Sequence, residues 1–333
     1  ISNNIKGSDM STIMKLADYK GMTVGRAPMP NELLDGSFSQ TSVRDVSLDD
    51  LLGRRKNRLE YNKIKKFLNN QVILITGAGG SIGSELARRI NEFLPKTLLL
   101  LDVSEQAIYE LSQKFNEYRN SKSIKLICSN ISDHNELEKI FKKYKPAIIY
   151  HAAAMKHVGI CEENISEAIK TNILATYSLS NLAEVYKSKC MILISTDKAV
   201  NPSSVMGATK KLAESIIQTR DRFSNNKTRF ITVRFGNVLG SQGSVVPLFK
   251  KQISYGGPIT VTDKNVTRFF MTIEEAIALV LNATMEQYNS SSELRGCISV
   301  LNMGASIKID ILAKQMIKLA GMTPNKEIRI KYT

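Results

Sequence analysis

A glycine-rich segment directly after a short apolar run constrains the fold of this chain more than any other feature. Residues 72–75 are Val-Ile-Leu-Ile, and residues 76–83, Thr-Gly-Ala-Gly-Gly-Ser-Ile-Gly, lead from them into a segment of helical periodicity. A turn of this kind brings backbone amides and the positive end of a helix close to a pyrophosphate. The sequence therefore predicts a dinucleotide site at the end of its first strand.

Four further apolar runs follow, and segments of helical periodicity separate them. They span residues 97–101, 124–127, 147–150 and 191–194. This alternation predicts an α/β protein of the Rossmann type, with a doubly wound parallel sheet and helices on both faces. We expect an N-terminal arm at 1–69 and a dinucleotide-binding core at 70–233. Residues 234–333 are expected to form mainly a smaller substrate-binding lobe, interleaved with the core.

Three glycines and one acidic residue define the predicted cofactor site. Gly77 permits the tight turn, Gly80 lets the backbone approach the pyrophosphate, and Gly83 permits close packing of helix against strand. Asp102 stands 19 residues after Gly83, where its carboxylate would accept hydrogen bonds from ribose hydroxyls and repel a 2′-phosphate. The pattern therefore favours NAD over NADP. The other predicted contacts are Gly79, Ser81 and Ile82 in the loop, Asn130 and Ile131 beside the adenine, and Ala152 and Ala153 beside a ribose.

The charge of the chain limits its partners. The 46 basic and 31 acidic residues give a net charge of +15, which favours an anionic ligand or surface. Residues 54–66 contain seven of the basic residues, which fits a cytoplasmic membrane face, nucleic acid or an ordinary solvated helix. Because no nucleic-acid motif and no interleaved aromatic residues accompany the charge, we expect no nucleic-acid partner.

No metal site, disulfide or membrane span is expected in this chain. The three histidines and four cysteines form no ligand-spaced cluster and no CxxC pair, which indicates free thiols in a reducing compartment. No apolar run approaches the roughly 18 residues of a membrane span. Because the first residue is Ile1, we expect a soluble fragment of a longer protein.

The residues that follow the fifth apolar run resemble a known enzyme family. Together with the glycine loop and His-Ala-Ala-Ala at 151–154, Lys210 on a predicted helix resembles the pattern of the extended short-chain dehydrogenases/reductases. Most members carry tyrosine four residues before this lysine, whereas this chain has Met206, whose thioether can neither give nor take a proton. Either the site is inactive or another residue performs the proton transfer.

Residues 196–198, Thr-Asp-Lys, favour the second interpretation. They resemble the Thr-Asp-Glu triplet of sugar-nucleotide 4,6-dehydratases, with lysine in place of glutamate. The variant is similar to the membrane-anchored UDP-N-acetylglucosamine 4,6-dehydratases of bacterial polysaccharide and protein-glycan biosynthesis, in the branch with methionine in place of tyrosine. Further motifs of this family stand at residues 50–54, 155–158, 234–241, 268–272 and 300–304.

The resemblance implies an activity and a setting. The activity is a hydro-lyase reaction that converts UDP-N-acetylglucosamine into UDP-2-acetamido-2,6-dideoxy-4-keto-hexose, the first step towards a diamino-trideoxy sugar. NAD would stay tightly bound and be regenerated in every turnover. The resemblance also implies a membrane domain before this fragment, a place on the cytoplasmic face of the inner membrane, and a homo-oligomer, dimeric or larger. Because no tyrosine-like acid is available on the helix, we expect retention of configuration at carbon 5.

The chemistry of 4,6-dehydration gives a role to each catalytic candidate. Oxidation of the 4-hydroxyl acidifies the proton on carbon 5, so that a base can remove it while an acid protonates the departing 6-hydroxyl. We expect Lys198 to be that base and Asp197 that acid, each acting in its neutral form. Thr196 is the candidate relay for the 4-hydroxyl proton and Lys210 for the nicotinamide ribose, while Met206 is expected near the substrate but passive.

The predicted substrate contacts lie after the fourth apolar run and in the C-terminal part of the chain. Asn237 is expected at the diphosphate and Arg268 as a phosphate clamp. Lys156 is expected at the sugar, whereas His157 fits a ligand role and a structural role equally. The predicted uracil pocket consists of Ser244, Val245, Val261 and Thr262.

Two other functions stay open from the sequence. A nucleotide-sugar 4-epimerase would use the same cofactor and substrate but would need neither Asp197 nor Lys198. A catalytically silent NAD-binding module would explain the missing tyrosine, and bound NAD without sugar turnover would identify it.

Overall fold

The computed structural model describes most of the chain from residue 60 onwards. The described residues are 13, 16–17, 20, 22, 25–26, 44–45, 60–116, 123–223, 228–241 and 243–333. They divide into two compact units. The core unit comprises residues 57–243 and 273–304, and the lobe unit comprises residues 1–56, 244–272 and 305–333. Most of the predicted arm, residues 1–69, lies outside the described residues, and the predicted domain boundaries stay predictions.

The core unit contains a sheet of seven strands. They are β1 (Val72–Thr76), β2 (Thr97–Asp102), β3 (Ile124–Cys128), β4 (Ile148–His151), β5 (Cys190–Thr196), β6 (Arg229–Phe235) and β7 (Ile298–Val300). The spatial order is β7-β6-β5-β4-β1-β2-β3, and all neighbours are parallel. This confirms the predicted fold class. The strand order reverses between β1 and β4, and ligands of such sheets bind outside the carboxyl ends of the strands at this point.

Helices connect the strands of the core unit, and the helices Val245–Ser254 and Ile309–Leu319 belong to the lobe unit. They are α1 (Tyr61–Leu68), α2 (Ser81–Asn91), α3 (Glu105–Asn116), α4 (His134–Tyr144), α5 (Val158–Glu163), α6 (Ile165–Ile169), α7 (Ala175–Val185), α8 (Val205–Phe223), α9 (Val245–Ser254), α10 (Ile273–Tyr288) and α11 (Ile309–Leu319). A π-helical turn, Lys170–Leu174, joins α6 to α7. At the start of α4 the Asp133 side chain accepts a hydrogen bond from the Glu136 amide at 3.1 Å, as its capping-box spacing predicts.

Burial of both sheet faces explains why the central strands β1, β2, β4 and β5 are mostly continuous apolar runs. On one face, Leu74, Leu99 and Met191 pack with Phe141 of α4 and Ile217 of α8. Helices α2 and α10 contact the sheet outside this cluster. Each fully buried side chain of this size contributes about 1.5–3 kcal/mol relative to exposure. The sheet is therefore a rigid base for the loops at its carboxyl edge.

Among the described residues, the lobe unit contains helices α9 and α11 and three short strand pairs, one of which joins Gly25–Arg26 antiparallel to Arg44–Asp45. Ile259–Val261 pairs in parallel with Ile330–Tyr332, and Thr267–Arg268 pairs antiparallel with Ile307–Lys308. Helices α9 and α11 contact each other and the Ile259–Val261 strand, and Phe249 of α9 is fully buried.

Within the described residues no helix has the length and apolar character that crossing a bilayer requires. In that same part of the chain, no three His, Cys, Asp or Glu side chains form a group that could hold a metal ion. All four cysteines are free thiols.

Candidate active site

The glycine loop follows β1 and lies directly against the end of β4. Gly77 has φ +67°, and a Cβ atom there would stand 2.6 Å from the backbone nitrogen of Ala153. The Ala152 amide donates a hydrogen bond to the Thr76 carbonyl at 3.1 Å. Only glycine combines this left-handed backbone with so close an approach. The structure thus brings together Gly77, Ala152 and Ala153, which the sequence predicts at the cofactor.

Gly83 lies on the side of the loop that packs against backbone, and Gly80 lies on its open side. A Cβ atom on Gly83 would overlap the Gly77 carbonyl, so this glycine holds α2 against β1. A Cβ atom on Gly80 would meet only the Gly77 oxygen, at 3.4 Å, so the loop is accessible there. Ser81 and Ile82 form the first turn of α2, whose N-terminus carries partial positive charge. This geometry fits a pyrophosphate.

Asp102 ends β2 beside the loop. One carboxylate oxygen accepts from the Gly79 amide at 2.8 Å, and the other accepts from the Ser104 amide at 3.0 Å. Each oxygen keeps capacity for one more hydrogen bond, so the side chain is fixed and can still receive two ribose hydroxyls. The residues present therefore fit the predicted NAD.

The predicted adenine contacts differ in exposure. Asn130 is exposed, and its side-chain oxygen accepts from the Ser132 amide at 2.8 Å. Ile131 is 5% exposed and packs into the core beside Leu137. Their adenine role stays a prediction.

A buried polar chain that the sequence did not single out runs beneath the loop. The His151 ring contacts the Thr76 hydroxyl through Nδ1 at 2.7 Å and the Thr176 hydroxyl through Nε2 at 2.9 Å. Because Thr176 donates its only hydroxyl proton to the Asn172 carbonyl, Nε2 carries the ring proton and Nδ1 accepts from Thr76. Burial, with a smaller contribution from the Lys210 charge, lowers the pKa of His151 to about 3. His151 is therefore a neutral structural link and not an acid.

The Thr-Asp-Lys triplet converges at the end of β5. A 3₁₀ turn, Asp197–Ala199, bends the chain directly after Thr196. The same Asp197 oxygen accepts from the Thr196 hydroxyl at 2.9 Å and from the Lys198 ammonium at 3.1 Å. The Lys198 nitrogen also donates to the Asn237 side-chain oxygen at 3.0 Å. Asn237, predicted at the diphosphate, thus belongs to the same cluster as the three catalytic candidates.

Lys210 and Met206 occupy successive turns of α8. The Lys210 nitrogen donates to the Ile194 carbonyl at 2.6 Å, and burial lowers its pKa to about 8 although Glu214 opposes that shift. Met206 is 3% exposed and packs with Cys161 and Ala168 in a small apolar cluster. The position at which the resemblance leads us to expect tyrosine is therefore filled by a group with no transferable proton.

Lys156 and His157 lie between β4 and α5, and both are exposed. Partial desolvation lowers the pKa of Lys156. A Cβ atom on Gly243, which has φ +68°, would overlap the His157 ring. The His157 imidazole therefore packs on Gly243, a contact that the sequence does not predict. This contact gives His157 a structural role. A ligand role for either residue stays a prediction.

The other predicted substrate residues belong to the lobe unit. Ser244 and Val245 begin α9, and the Ser244 hydroxyl is buried without a partner among the described residues. Val261 is 1% exposed at the end of its strand, and Thr262 after it is exposed. The exposed Arg268 guanidinium donates to the Thr267 carbonyl at 2.9 Å. Their uracil and phosphate roles stay predictions.

A second buried network was also missed from the sequence. Glu214, which is fully buried on α8, accepts from the Ser195 hydroxyl at 2.6 Å. Its two oxygens also accept from the Arg234 guanidinium, at 2.6 and 2.5 Å. A glutamate one turn after Lys210, on the buried side of a helix, is the signal that could have revealed it.

Comparisons with known proteins give a consistent family. The family model described as "Polysaccharide biosynthesis protein" matches residues 73–333. The capsular polysaccharide biosynthesis protein CapD of Staphylococcus aureus is 42% identical over 325 residues, which is 97% of this chain and 53% of the relative. The chain therefore spans about half the length of that relative.

Relatives with two different activity names are also similar to this chain. The UDP-N-acetylglucosamine 4,6-dehydratase (inverting) of Campylobacter jejuni is 36% identical over 217 residues, 64% of this chain and 63% of the relative. The UDP-glucose 4-epimerase of Rickettsia bellii is 35% identical over 252 residues, 74% of this chain and 70% of the relative. Among solved structures, Pen from Bacillus thuringiensis has a TM-score of 0.72 at 30% identity, covering 80% of this chain and 81% of Pen.

Proposed function

Because this chain belongs to the polysaccharide biosynthesis protein family, we propose that it is the catalytic part of an NAD-dependent UDP-N-acetylglucosamine 4,6-dehydratase. The product would be UDP-2-acetamido-2,6-dideoxy-4-keto-hexose with retained configuration at carbon 5, the first step towards a diamino-trideoxy sugar of bacterial glycans. The longer protein would be a membrane-anchored homo-oligomer with this part on the cytoplasmic face of the inner membrane.

One observation carries the proposal, namely the meeting of Asp197 and Lys198 at the carboxyl end of β5. Their side chains are 3.1 Å apart and partly exposed, at 21% and 34%. Elimination across carbons 5 and 6 needs a base for the carbon 5 proton and an acid for the departing hydroxyl side by side, whereas epimerisation at carbon 4 needs only one group that takes and returns the 4-hydroxyl proton. The adjacent pair therefore favours dehydration.

The hydrogen bond from Thr196 to Asp197 suggests a route for the proton of the sugar's 4-hydroxyl. Thr196 donates to Asp197, so a 4-hydroxyl that donates to Thr196 can pass its proton through the hydroxyl to the carboxylate. Asp197 then holds the proton that the departing 6-hydroxyl needs to leave as water. No tyrosine is required in this route.

Lys198 would act as a neutral amine on the same face of the sugar. It takes the proton from carbon 5 during elimination, exchanges it with solvent, and delivers a solvent proton to carbon 5 at the end of the cycle. Asp197 ends as a carboxylate and Lys198 as an amine, so both groups recover their starting states. Delivery of a proton by the group that removed the first one favours retention, because the buried Met206 can supply no proton to the opposite face.

NAD would accept a hydride from carbon 4 and deliver it to carbon 6. The residues that would hold it are the loop glycines Gly77, Gly79, Gly80 and Gly83, the α2 residues Ser81 and Ile82, and Asp102 and Lys210. Since the hydride returns within one cycle, a tightly held cofactor needs no external reductant.

The test follows the sugar by proton NMR in heavy water, with purified protein, UDP-N-acetylglucosamine and no added NAD. We expect a 6-deoxy-4-keto product with one solvent deuteron at carbon 5. An L-arabino product would contradict retention. Formation of the 4-epimer alone would remove the roles of Asp197 and Lys198.

Two alternatives have their own support. The 4-epimerase is favoured by the relative from Rickettsia bellii that carries this activity name. The silent NAD-binding module is favoured by Met206. Absence of any sugar turnover, even with NAD supplied, would make the silent module the better proposal.

A further inference from the structure

Glu214 is a buried charge that the proposed chemistry does not use. It lies on α8 one turn after Lys210 and is 0% exposed. A buried carboxylate is costly unless its oxygens are paired and hydrogen-bonded. Here the Arg234 guanidinium binds both oxygens and the Ser195 hydroxyl binds one, so the charge is fully engaged.

The two partners of Glu214 are opposite each other in the sheet. Ser195 of β5 and Arg234 of β6 are direct partners in the parallel register. A single carboxylate on α8 therefore ties two neighbouring strand ends to one helix. Lys210, on that helix, donates to the carbonyl of Ile194, the residue before Ser195, at 2.6 Å. The helix is thus fixed to the end of β5 at two adjacent residues.

Lys198 and Asn237, which meet in the candidate site, follow the ends of these two strands. Lys198 stands three residues after Ser195, and Asn237 stands three residues after Arg234. Their side chains meet at 3.0 Å across the gap beyond the sheet. A slip or separation of β5 and β6 at Ser195 and Arg234 would be transmitted to this contact over only three residues.

We propose that Glu214 is a positioning residue whose carboxylate clamps the ends of β5 and β6, so that Lys198 meets Asn237 and Asp197. Glu214 touches neither substrate nor cofactor in this assignment and acts through Lys198. The catalytic consequence rests on the proposed function, whereas the positioning of Lys198 does not.

The chain contains a matched control at the opposite end of the same helix and strand. Asp221 of α8 is 1% exposed and forms an ion pair with Arg229 of β6 at 3.2 Å. It also accepts from the amides of Phe230 and Gly296, at 2.9 and 2.8 Å. Both pairs join α8 to β6 by a buried carboxylate and an arginine, but only Glu214 lies at the carboxyl end of the sheet.

The first measurement needs no substrate. The full chain as purified is treated with sulfo-N-hydroxysuccinimide acetate, and peptide mass spectrometry gives the acetylation rate of each lysine. Lys314, which pairs with Asp310 at 2.8 Å in the lobe unit, is the internal standard. We expect Glu214→Gln to raise the relative rate at Lys198 about tenfold, since hydrogen bonds to its charged amine are loosened. Asp221→Asn should leave this rate near that of the wild type.

The second measurement separates positioning from a general loss of stability. In the dehydration assay Glu214→Gln should lower kcat about 100-fold, as a misplacement of catalytic groups by about 1 Å does, with KM little changed. Asp221→Asn should lower the Tm but keep kcat near that of the wild type. Circular dichroism and Tm identify folded variants.

If Glu214→Gln does not fold, Ser195→Ala replaces it, because this change keeps the Glu214–Arg234 pair and removes one donor. We then expect about a fivefold faster reaction at Lys198, the effect of one hydrogen bond. The clamp is refuted if a folded Glu214→Gln or Ser195→Ala variant has wild-type Lys198 reactivity, or if Asp221→Asn has the same effect. Wild-type protein that makes no product, with the labelling differences intact, would reject the proposed function and keep the clamp.

Discussion

Substitution of Gly207 by alanine should disable the site while leaving the fold intact. Gly207 is buried in the first turn of α8, where a Cβ atom would stand 2.5 Å from the Lys198 carbonyl oxygen and 3.0 Å from the Pro202 Cβ. A carbon and a carbonyl oxygen normally approach to about 3.3 Å, so the backbone at Lys198 must move by about 0.8 Å. This oxygen is backbone, so no flexible side chain can absorb the displacement.

The structure gives the size of the effect on activity. The Lys198 nitrogen donates to Asn237 at 3.0 Å and to Asp197 at 3.1 Å, and a shift of this size takes at least one contact beyond hydrogen-bond range. A hydrogen bond to a charged group contributes about 1.5–3 kcal/mol. We therefore expect kcat to fall about 10- to 100-fold.

The effect on stability should be small by comparison. Alanine gains about 1 kcal/mol over glycine inside a helix, and overpacking costs about 1–3 kcal/mol. The free energy of unfolding of Gly207→Ala should therefore change by about 2 kcal/mol at most.

Gly159→Ala is the control. Gly159 also lies in a first helical turn, that of α5, but a Cβ atom there would meet nothing within 4 Å. Urea unfolding and the NMR assay of dehydration should give a normal kcat and equal or higher stability for this variant. Wild-type kcat in a folded Gly207→Ala variant would refute the reasoning, because Lys198 would then tolerate the displacement.

Three further predictions test other parts of the site. Thr196→Val should lower kcat about 100-fold, the usual contribution of a proton-transfer group, and full turnover would remove Thr196 from the mechanism. Asp102→Asn should weaken NAD binding and reduce the ratio of the affinities for NAD and NADP in calorimetric titrations, because the negative charge that repels a 2′-phosphate is lost. An unchanged ratio would contradict the proposed role of Asp102 in selecting NAD. Lys210 has a folded pKa of about 8, lowered by burial from an unfolded value near 10.5, so the folded protein holds fewer protons between these values and gains stability as pH rises. Between pH 7 and pH 10, the free energy of unfolding of the wild type should therefore rise by about 2 kcal/mol relative to that of Lys210→Met, as measured by urea unfolding. A difference between the two proteins that does not change with pH would contradict the lowered pKa of Lys210.

The sequence predicts structure best at positions where local geometry or burial permits only one type of residue. Parallel strands buried on both faces must be continuous apolar runs, so the central strands β1, β2, β4 and β5 are recognisable from the sequence alone. The positive φ of Gly77 and the close approach at Gly83 require glycine, so the loop was recognisable as well. Met206 could be identified as unable to transfer a proton before its burial was known.

Only the tertiary structure decided which distant side chains meet. Asn237, which binds Lys198, lies two residues beyond the end of β6, and Arg234, which binds Glu214, lies in β6; they are 39 and 20 positions away in the chain. His151 contacts Thr76 across 75 positions. Sequence patterns report the face of a helix or strand that is buried, because periodicity is a local property. They do not report which groups share that interior, because strand order and register bring the groups together, and the pairing of a buried charge such as Glu214 depends on that arrangement.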